Sequence, residues 1–129
     1  MLNKYFSEDI QKYGIHVEWQ KPSEPMVAHV VAEHIGKTIL SMLSNSIYAL
    51  KKKASKEGGQ PEEGYVPTVR LSVNKDEKLY ISVYDNGIGI EESILDKIFD
   101  PFFTTKPTSE AAGVGLYLVR EIINDHGGT

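Results

Sequence analysis

The sequence predicts an α/β fold, built from strands with one buried face and amphipathic helices. Three observations point there. Some stretches alternate apolar and polar residues with the period of a half-buried strand, and others repeat apolar residues at helical spacing. Polar segments containing glycine or proline separate the two kinds. At 129 residues the chain has the size of a single domain, 1–129.

Residues 1–12 read as an N-terminal linker segment. Tyr13 to Gln20 (YGIHVEWQ) sets Ile15, Val17 and Trp19 against His16 and Glu18, which predicts a first strand with one buried face. After Pro22 and Pro25, Val27 to Lys53 places Ile35, Ile39, Met42, Leu43, Ile47 and Leu50 near one face of a long helix. Lys51, Lys52 and Lys53 then sit where cations favour a helix C-terminus, and they read as a solvated end. Residues 54–64 are polar, contain glycine and have little to bury, which predicts a mobile loop.

Val66 to Val73 and Lys78 to Tyr84 alternate around Asn74-Lys75-Asp76-Glu77 and predict a hairpin. Its second strand runs directly into Asp85. Glu91 to Phe99 reads as a short helix with acids in its first turn, followed by irregular backbone from Pro101 to Lys106. Pro107 to Ala112 reads as a flexible stretch. From Leu116 the positions Leu118, Val119, Ile122 and Ile123 mark a last helix, stopped by Gly127-Gly128.

Composition removes several classes of function. Apolar residues make up 40% and charged residues 25%, which suits a folded globular chain. The formal net charge of -4 lacks the basic footprint of a nucleic-acid binder. The absence of cysteine excludes disulfide frameworks, thiol catalysis and zinc-cysteine sites. Nowhere do about 18 apolar residues run together as a membrane span requires.

Some short motifs mislead. Gly36-Lys37-Thr38 suggests a phosphate loop, but Val31 stands where that motif needs its first glycine, and a helix is expected where it needs a strand. Glu92 and Leu118 occupy the third glycine positions after Gly87-Ile88-Gly89 and Gly113-Val114-Gly115, so neither completes a dinucleotide fingerprint. His16, His29, His34 and His126 have no partners at metal-ligand spacing and read as structural or solvated.

Three segments carry chemistry. Asp85-Asn86-Gly87-Ile88-Gly89-Ile90 leaves a strand over two glycines, so backbone can approach a flat ligand closely; Asn-Gly is equally a strong turn dipeptide. A strand-end acid there can accept a hydrogen bond from an exocyclic amine such as that of adenine. Burial beside Ile88 and Ile90 is expected to strengthen that bond. Gly113-Val114-Gly115-Leu116 opens a helix whose free N–H groups suit phosphate oxygens, or it is a plain glycine loop. Asn45 lies mid-helix among apolar neighbours, where an amide needs a partner, and its carbonyl oxygen suits Mg²⁺.

In this order the segments resemble the ATP-binding domain of the GHKL superfamily, specifically the catalytic domain of bacterial two-component sensor histidine kinases. The resemblance covers roughly Ile15 to Thr129. Leu40 to Leu50 looks like the N box, Asp85 to Ile90 like the G1 box, Ile98 to Lys106 (IFDPFFTTK) like the F box, and Gly113 to Leu116 like the G2 box.

The resemblance implies a two-layer α/β sandwich of the GHKL type, with a mixed, mostly antiparallel sheet on one side and helices on the other, that binds ATP and Mg²⁺. Asn45 would ligate the metal, and Tyr48 and Ala49 would line the nucleotide site. Asp85 would bind the adenine amino group, with Gly87, Gly89 and Ile90 shaping the base pocket. Phe102 and Phe103 would anchor a short ATP lid over 107–112, and Thr104, Thr105 and Lys106 would begin it, with Lys106 able to meet phosphate as a point charge. Gly113, Val114, Gly115 and Leu116 would border the phosphates. The implied reaction moves the γ-phosphate to a histidine on a separate dimerisation hairpin and onward to a response regulator's receiver domain. The setting would be the cytoplasm, with the domain itself touching neither membrane nor nucleic acid.

The chain departs from the family in places. Ser41 stands one turn before Asn45, where many members carry a second Asn, and gyrase, MutL and Hsp90 carry a water-activating Glu. Val17, Val30, Ile35 and Gly127 follow the four histidines, so none has the acid that usually follows a phosphoacceptor. No catalytic residue is therefore expected within the chain. It stops at Gly127-Gly128-Thr129, where the family continues into one or two more strands, so the sheet is expected to lack them. A nucleotide-binding module without turnover, an anti-sigma-factor serine kinase and a gyrase-type ATPase are the alternative readings.

Overall fold

The computed structural model describes residues 2–22, 32–54, 63–75, 77–100 and 115–129. In chain order these form helix α1 (Leu2–Tyr13), strand β1 (His16–Gln20), helix α2 (Ala32–Ala54), strands β2 (Thr68–Lys75) and β3 (Leu79–Asp85), a 3₁₀ turn (Glu92–Ile94) and helix α3 (Gly115–Asp125).

The sheet is mixed, in the order β1-β2-β3. β1 lies parallel to β2, with His16 opposite Thr68 and Glu18 opposite Arg70. Parallel neighbours require a crossover, and α2 lies in the connection between them. β2 and β3 form the expected hairpin, antiparallel, with Val69 opposite Asp85 and Arg70 opposite Tyr84.

The chain divides into two compact units, one comprising residues 1–28 and 43–89 and the other 29–42 and 90–129. The core of the first holds Leu43, Ile47 and Leu50, three positions on one face of α2, together with Ile15 and Val69. Val119 of α3 is buried in the second. Helix α3 ends as its glycines predict: Gly128 N–H donates to Ile123 O at 2.9 Å and Gly127 N–H to Asn124 O at 2.9 Å, the paired bonds of a Schellman motif.

Some expectations need correction. Residues 1–12, read as a linker, are helical through Tyr13. Phe6, Ile10 and Tyr13 recur at helical spacing, and the helix is tied to α2 by Lys51 Nζ, 3.4 Å from Asp9 Oδ1. The first strand consequently begins at His16 rather than Tyr13, after a turn closed by Ile15 N–H on Ile10 O at 3.0 Å.

The lysines that end α2 are less bare than a solvated end: Lys51, Lys52 and Lys53 lie 5.8, 5.6 and 4.7 Å from the ring centroids of Tyr13, Tyr48 and Tyr65. Glu91 to Phe99 is a 3₁₀ turn continued by Lys97 N–H on Ile94 O and Asp100 N–H on Lys97 O, both at 2.9 Å, instead of a helix. It buries no residue of its 3₁₀ turn, so nothing offsets the cost of nucleating an α-helix. The expected lid over 107–112 and most of the expected loop over 54–64 lie outside the described residues, apart from Ala54 at the end of α2 and a turn at Glu63-Gly64.

Candidate functional site

Asp85 is the last residue of β3, opposite the fully buried Val69. Its Oδ1 accepts the Gly87 N–H at 2.9 Å, which ties one carboxylate oxygen across the turn. Its Oδ2 has no hydrogen bond from the described residues. Asn86, which follows, is a clamp: its Oδ1 accepts from Thr68 N–H at 2.8 Å, its Nδ2 donates to Val66 O at 2.9 Å, and its own N–H donates to Thr68 O at 3.3 Å. An amide carries its donor and its acceptor on separate atoms, so this one residue after β3 holds two backbone groups of the segment that opens β2.

The loop then rests on α2. A Cβ at Gly87 would lie 2.6–2.8 Å from the backbone C, Cβ and O of Ala49, so only glycine fits. Ile88 N–H donates to Ala49 O at 3.3 Å, and Gly89 follows with φ +74°, a left-handed conformation that glycine adopts without strain. Ile88 and Ile90 are 58% and 53% exposed, so they do not bury Asp85 as expected. The geometric reason for Ile88 is its backbone bond to α2, which occupies the loop's inner side with main chain.

One turn before Ala49 stands Asn45, half-buried, with Tyr48 half-buried beside it. Asn45 therefore sits on the stripe of α2 that meets the Asp85 loop, and its amide oxygen is of the type hard cations take. Among the described residues there is no group of three or more His, Asp or Glu that could hold a metal.

Tyr65 sits nearby and was not singled out from sequence. It precedes Val66, whose carbonyl Asn86 holds, and its ring lies against Lys53, one turn beyond Ala49. Its hydroxyl oxygen is buried, with no hydrogen-bond partner among the described residues. Burial, and then the neighbouring Asp85 charge, push its ionisation above the ordinary tyrosine range, so the phenol stays a neutral donor.

In the second unit, α3 begins at Gly115, where a Cβ would come within 3.0 Å of Ser41 Oγ. Leu116 is half-buried. Phe102, Phe103, Thr104, Thr105, Lys106, Gly113 and Val114 lie outside the described residues. The Gly36-Lys37-Thr38 decoy is settled here. Thr38 is buried within α2 and donates to His34 O at 3.1 Å, while Lys37 pairs with Glu33 at 3.4 Å. His34 and His126 meet edge to face, centroids 6.3 Å apart, and His126 Nδ1 lies 2.7 Å from Ile122 O. No helix among the described residues is long and apolar enough to cross a membrane.

The fold is that of an α/β domain whose strand-end carboxylate stands on a glycine turn seated against a helix. A family model described as histidine kinase-, DNA gyrase B-, and HSP90-like ATPase matches residues 30–129. The two-component sensor PprA of Pseudomonas aeruginosa is 30% identical over 124 residues, which span 95% of this chain and 13% of that protein. The sensor protein RprX of Bacteroides fragilis is 37% identical over 96% of this chain and 23% of its own length. The solved catalytic domain of histidine kinase ThkA superposes with a TM-score of 0.72 at 25% identity, covering 97% of this chain and 73% of that one. The chain belongs to the histidine kinase-, DNA gyrase B- and HSP90-like ATPase family, as an ATP-binding domain of the kind sensor histidine kinases carry. It spans less than a quarter of the length of these two curated relatives.

Proposed function

We propose that this chain binds Mg-ATP through the Asp85 loop and, within a complete sensor kinase, supplies the γ-phosphate to a histidine. The observation that carries this reading is the Asp85 carboxylate, held through Oδ1 by the Gly87 N–H and leaving Oδ2 for an exocyclic amine. Gly87 and Gly89 let backbone lie against the base, while Tyr48 and Ala49 line it from α2, with Ile90 at the rim. Asn45 supplies an amide oxygen to Mg²⁺, and the metal when bound neutralises phosphate charge.

Phe102, Thr104, Thr105, Lys106, Gly113, Val114, Gly115 and Leu116 are assigned to the lid and phosphate side by family membership alone. The acceptor histidine belongs to a separate helical hairpin, because none of His16, His29, His34 and His126 is followed by an acid. The phosphate then passes to an aspartate of a response regulator, on the cytoplasmic side of the cell. A second reading, a nucleotide-binding module without turnover, is favoured by Ser41, a hydroxyl where related enzymes place an amide or a carboxylate.

Titration calorimetry tests the binding step. Asp85→Asn should weaken ATP by at least about 1.5 kcal/mol, since a charge-assisted bond is lost, and unchanged affinity removes Asp85 from the site. Asn45→Ala should lose affinity mainly when Mg²⁺ is present; equal losses with and without the metal remove it as a ligand. Labelled ATP with a histidine hairpin separates the two readings, since label on the hairpin rules out the inert module.

A further inference from the structure

A buried hydroxyl without a partner is costly. It forfeits its hydrogen bonds to water and gains none in the protein, and such groups in folded chains usually have a ligand, an ion or a bound water to explain them. Tyr65 carries such a hydroxyl. Three contacts place it beside the Asp85 loop. Asn86 Nδ2 holds the carbonyl of Val66, the next residue, at 2.9 Å, and Asn86 Oδ1 holds Thr68 N–H at 2.8 Å. Lys53 Nζ lies 4.7 Å from the Tyr65 ring centroid, one helical turn beyond Ala49, the residue against which Gly87 rests. The same helix turn and the same asparagine thus hold both Tyr65 and Asp85.

The carboxylate has a complementary need. Its Oδ1 is engaged by the Gly87 N–H, and its Oδ2 accepts no hydrogen bond from the described residues. A single-point restraint leaves a carboxylate free to swing about the held oxygen, whereas a reader of one amine must present a lone pair in a fixed direction. A buried neutral donor and an acceptor with spare capacity, carried on neighbouring segments, can be joined by one bound water, which needs at least two polar partners.

We propose that Tyr65 is a positioning residue of the adenine pocket, its hydroxyl holding Asp85 Oδ2 through a shared water so that the carboxylate is aimed at the base's amino group. This rests on the reading of Asp85 given above. The raised ionisation of the phenol agrees with it, since the hydroxyl keeps its proton to donate. The role also explains why a tyrosine is tolerated where phenylalanine would fill the same space without an orphan oxygen.

The test is Tyr65→Phe, which removes only that oxygen. ATP and inosine triphosphate, which has a carbonyl in place of the amino group, are titrated against the wild type, Tyr65→Phe, Asp85→Asn and the double variant, and melting of the free proteins is recorded. Tyr65→Phe should melt close to the wild type, because only a bond to an exchangeable water is lost. It should lower the preference for ATP over inosine triphosphate by about tenfold and add nothing to Asp85→Asn, because the two act as one unit.

An unchanged preference overturns the role of Tyr65 while leaving Asp85 in place. Equal losses for both nucleotides, or a large drop in melting temperature with the preference unchanged, show a structural hydroxyl and also overturn it. A wild type that binds neither nucleotide, or an Asp85→Asn protein with unchanged preference, removes the underlying reading and this one with it.

Discussion

In the first compact unit the loop that carries Asp85 is anchored at each step. Asn86 closes the strand pair, Gly87 lies against Ala49, and Ile88 bonds the helix backbone. In the second unit the start of α3 is held near Ser41, and the described buried residues are Thr38 and Val119. The contrast lies in what each piece leans on. Ala49 sits next to Leu50 on α2, and Val69 lies opposite Asp85, so the acid rests on residues adjoining the core of Leu43, Ile47, Leu50, Val69 and Ile15. The placing of Asp85 and the stability of the first unit are therefore coupled, whereas Gly115 does not share its seat with a core of comparable extent among the described residues.

Core truncation should expose the difference most strongly. Leu50, wholly buried, should cost about 3–4 kcal/mol when changed to alanine, through lost transfer energy and an unfilled cavity. Val119→Ala should cost about 1.5 kcal/mol, in proportion to the smaller group removed. Urea unfolding measures both, and equal costs would dissolve the contrast between the units.

Two glycines of α2's surroundings sharpen it further, because the same substitution should act with opposite sign. Gly87→Ala drives a methyl into the Ala49 backbone and should destabilise by about 2–3 kcal/mol. Gly36, inside α2 in the second unit, has nothing within 4 Å of a built Cβ, so alanine there should stabilise by about 0.8 kcal/mol through helix propensity. Melting temperatures that move in the same direction for both would contradict the close seat of the loop.

Most of the framework was legible in the sequence because period carries it. Leu43, Ile47 and Leu50 announce the buried face of α2, and the alternation on either side of Asn74 announces the hairpin ending at Asp85. Helix α1 was not legible in the same way. Its attachment runs through Asp9 and Tyr13, both met by Lys51 of α2, and these are long-range polar contacts that no local pattern encodes. Asp85 could be picked out by chemistry, but its supports could not. Asn86 looked like half of a turn dipeptide and works as a clamp on a strand 18 residues away. Tyr65 precedes Pro67 in an unremarkable segment, and only folding brings it to the Asp85 end of the strand pair with its hydroxyl buried. Ile88 and Ile90 looked like cover for Asp85 because apolar residues flank the glycines, yet backbone bonding to Ala49 decides which side of the loop faces inward.

The smallest expected effect concerns charge. On the sheet, Glu18, Arg70 and Tyr84 stand in register across three strands; Arg70 Nε donates to Glu18 Oε2 and its guanidinium lies 5.0 Å from the Tyr84 ring centroid. The hydrogen bond from Arg70, followed by the charges of Arg70 and His16, outweighs desolvation and holds the Glu18 carboxyl below its ordinary value. A lowered folded-state value means that the unfolded chain binds the proton first. The stabilisation is therefore complete above the ordinary glutamate range and is lost as pH falls through the lower, folded value. The gap in urea midpoint between the wild type and Glu18→Gln should be constant from neutral pH down to about 4.3, the ordinary glutamate value, and close below it. Added salt should shrink it at every pH, because the pair is open to solvent. In the second unit the Glu33–Lys37 pair is 76% and 65% exposed, against 33% and 37% for Glu18 and Arg70, and it has no third partner among the described residues. Glu33→Gln should give a smaller gap than Glu18→Gln under the same conditions. A larger gap at Glu33 would mean that the sheet ladder adds nothing beyond an ordinary surface pair, and that the two units hold their charges alike.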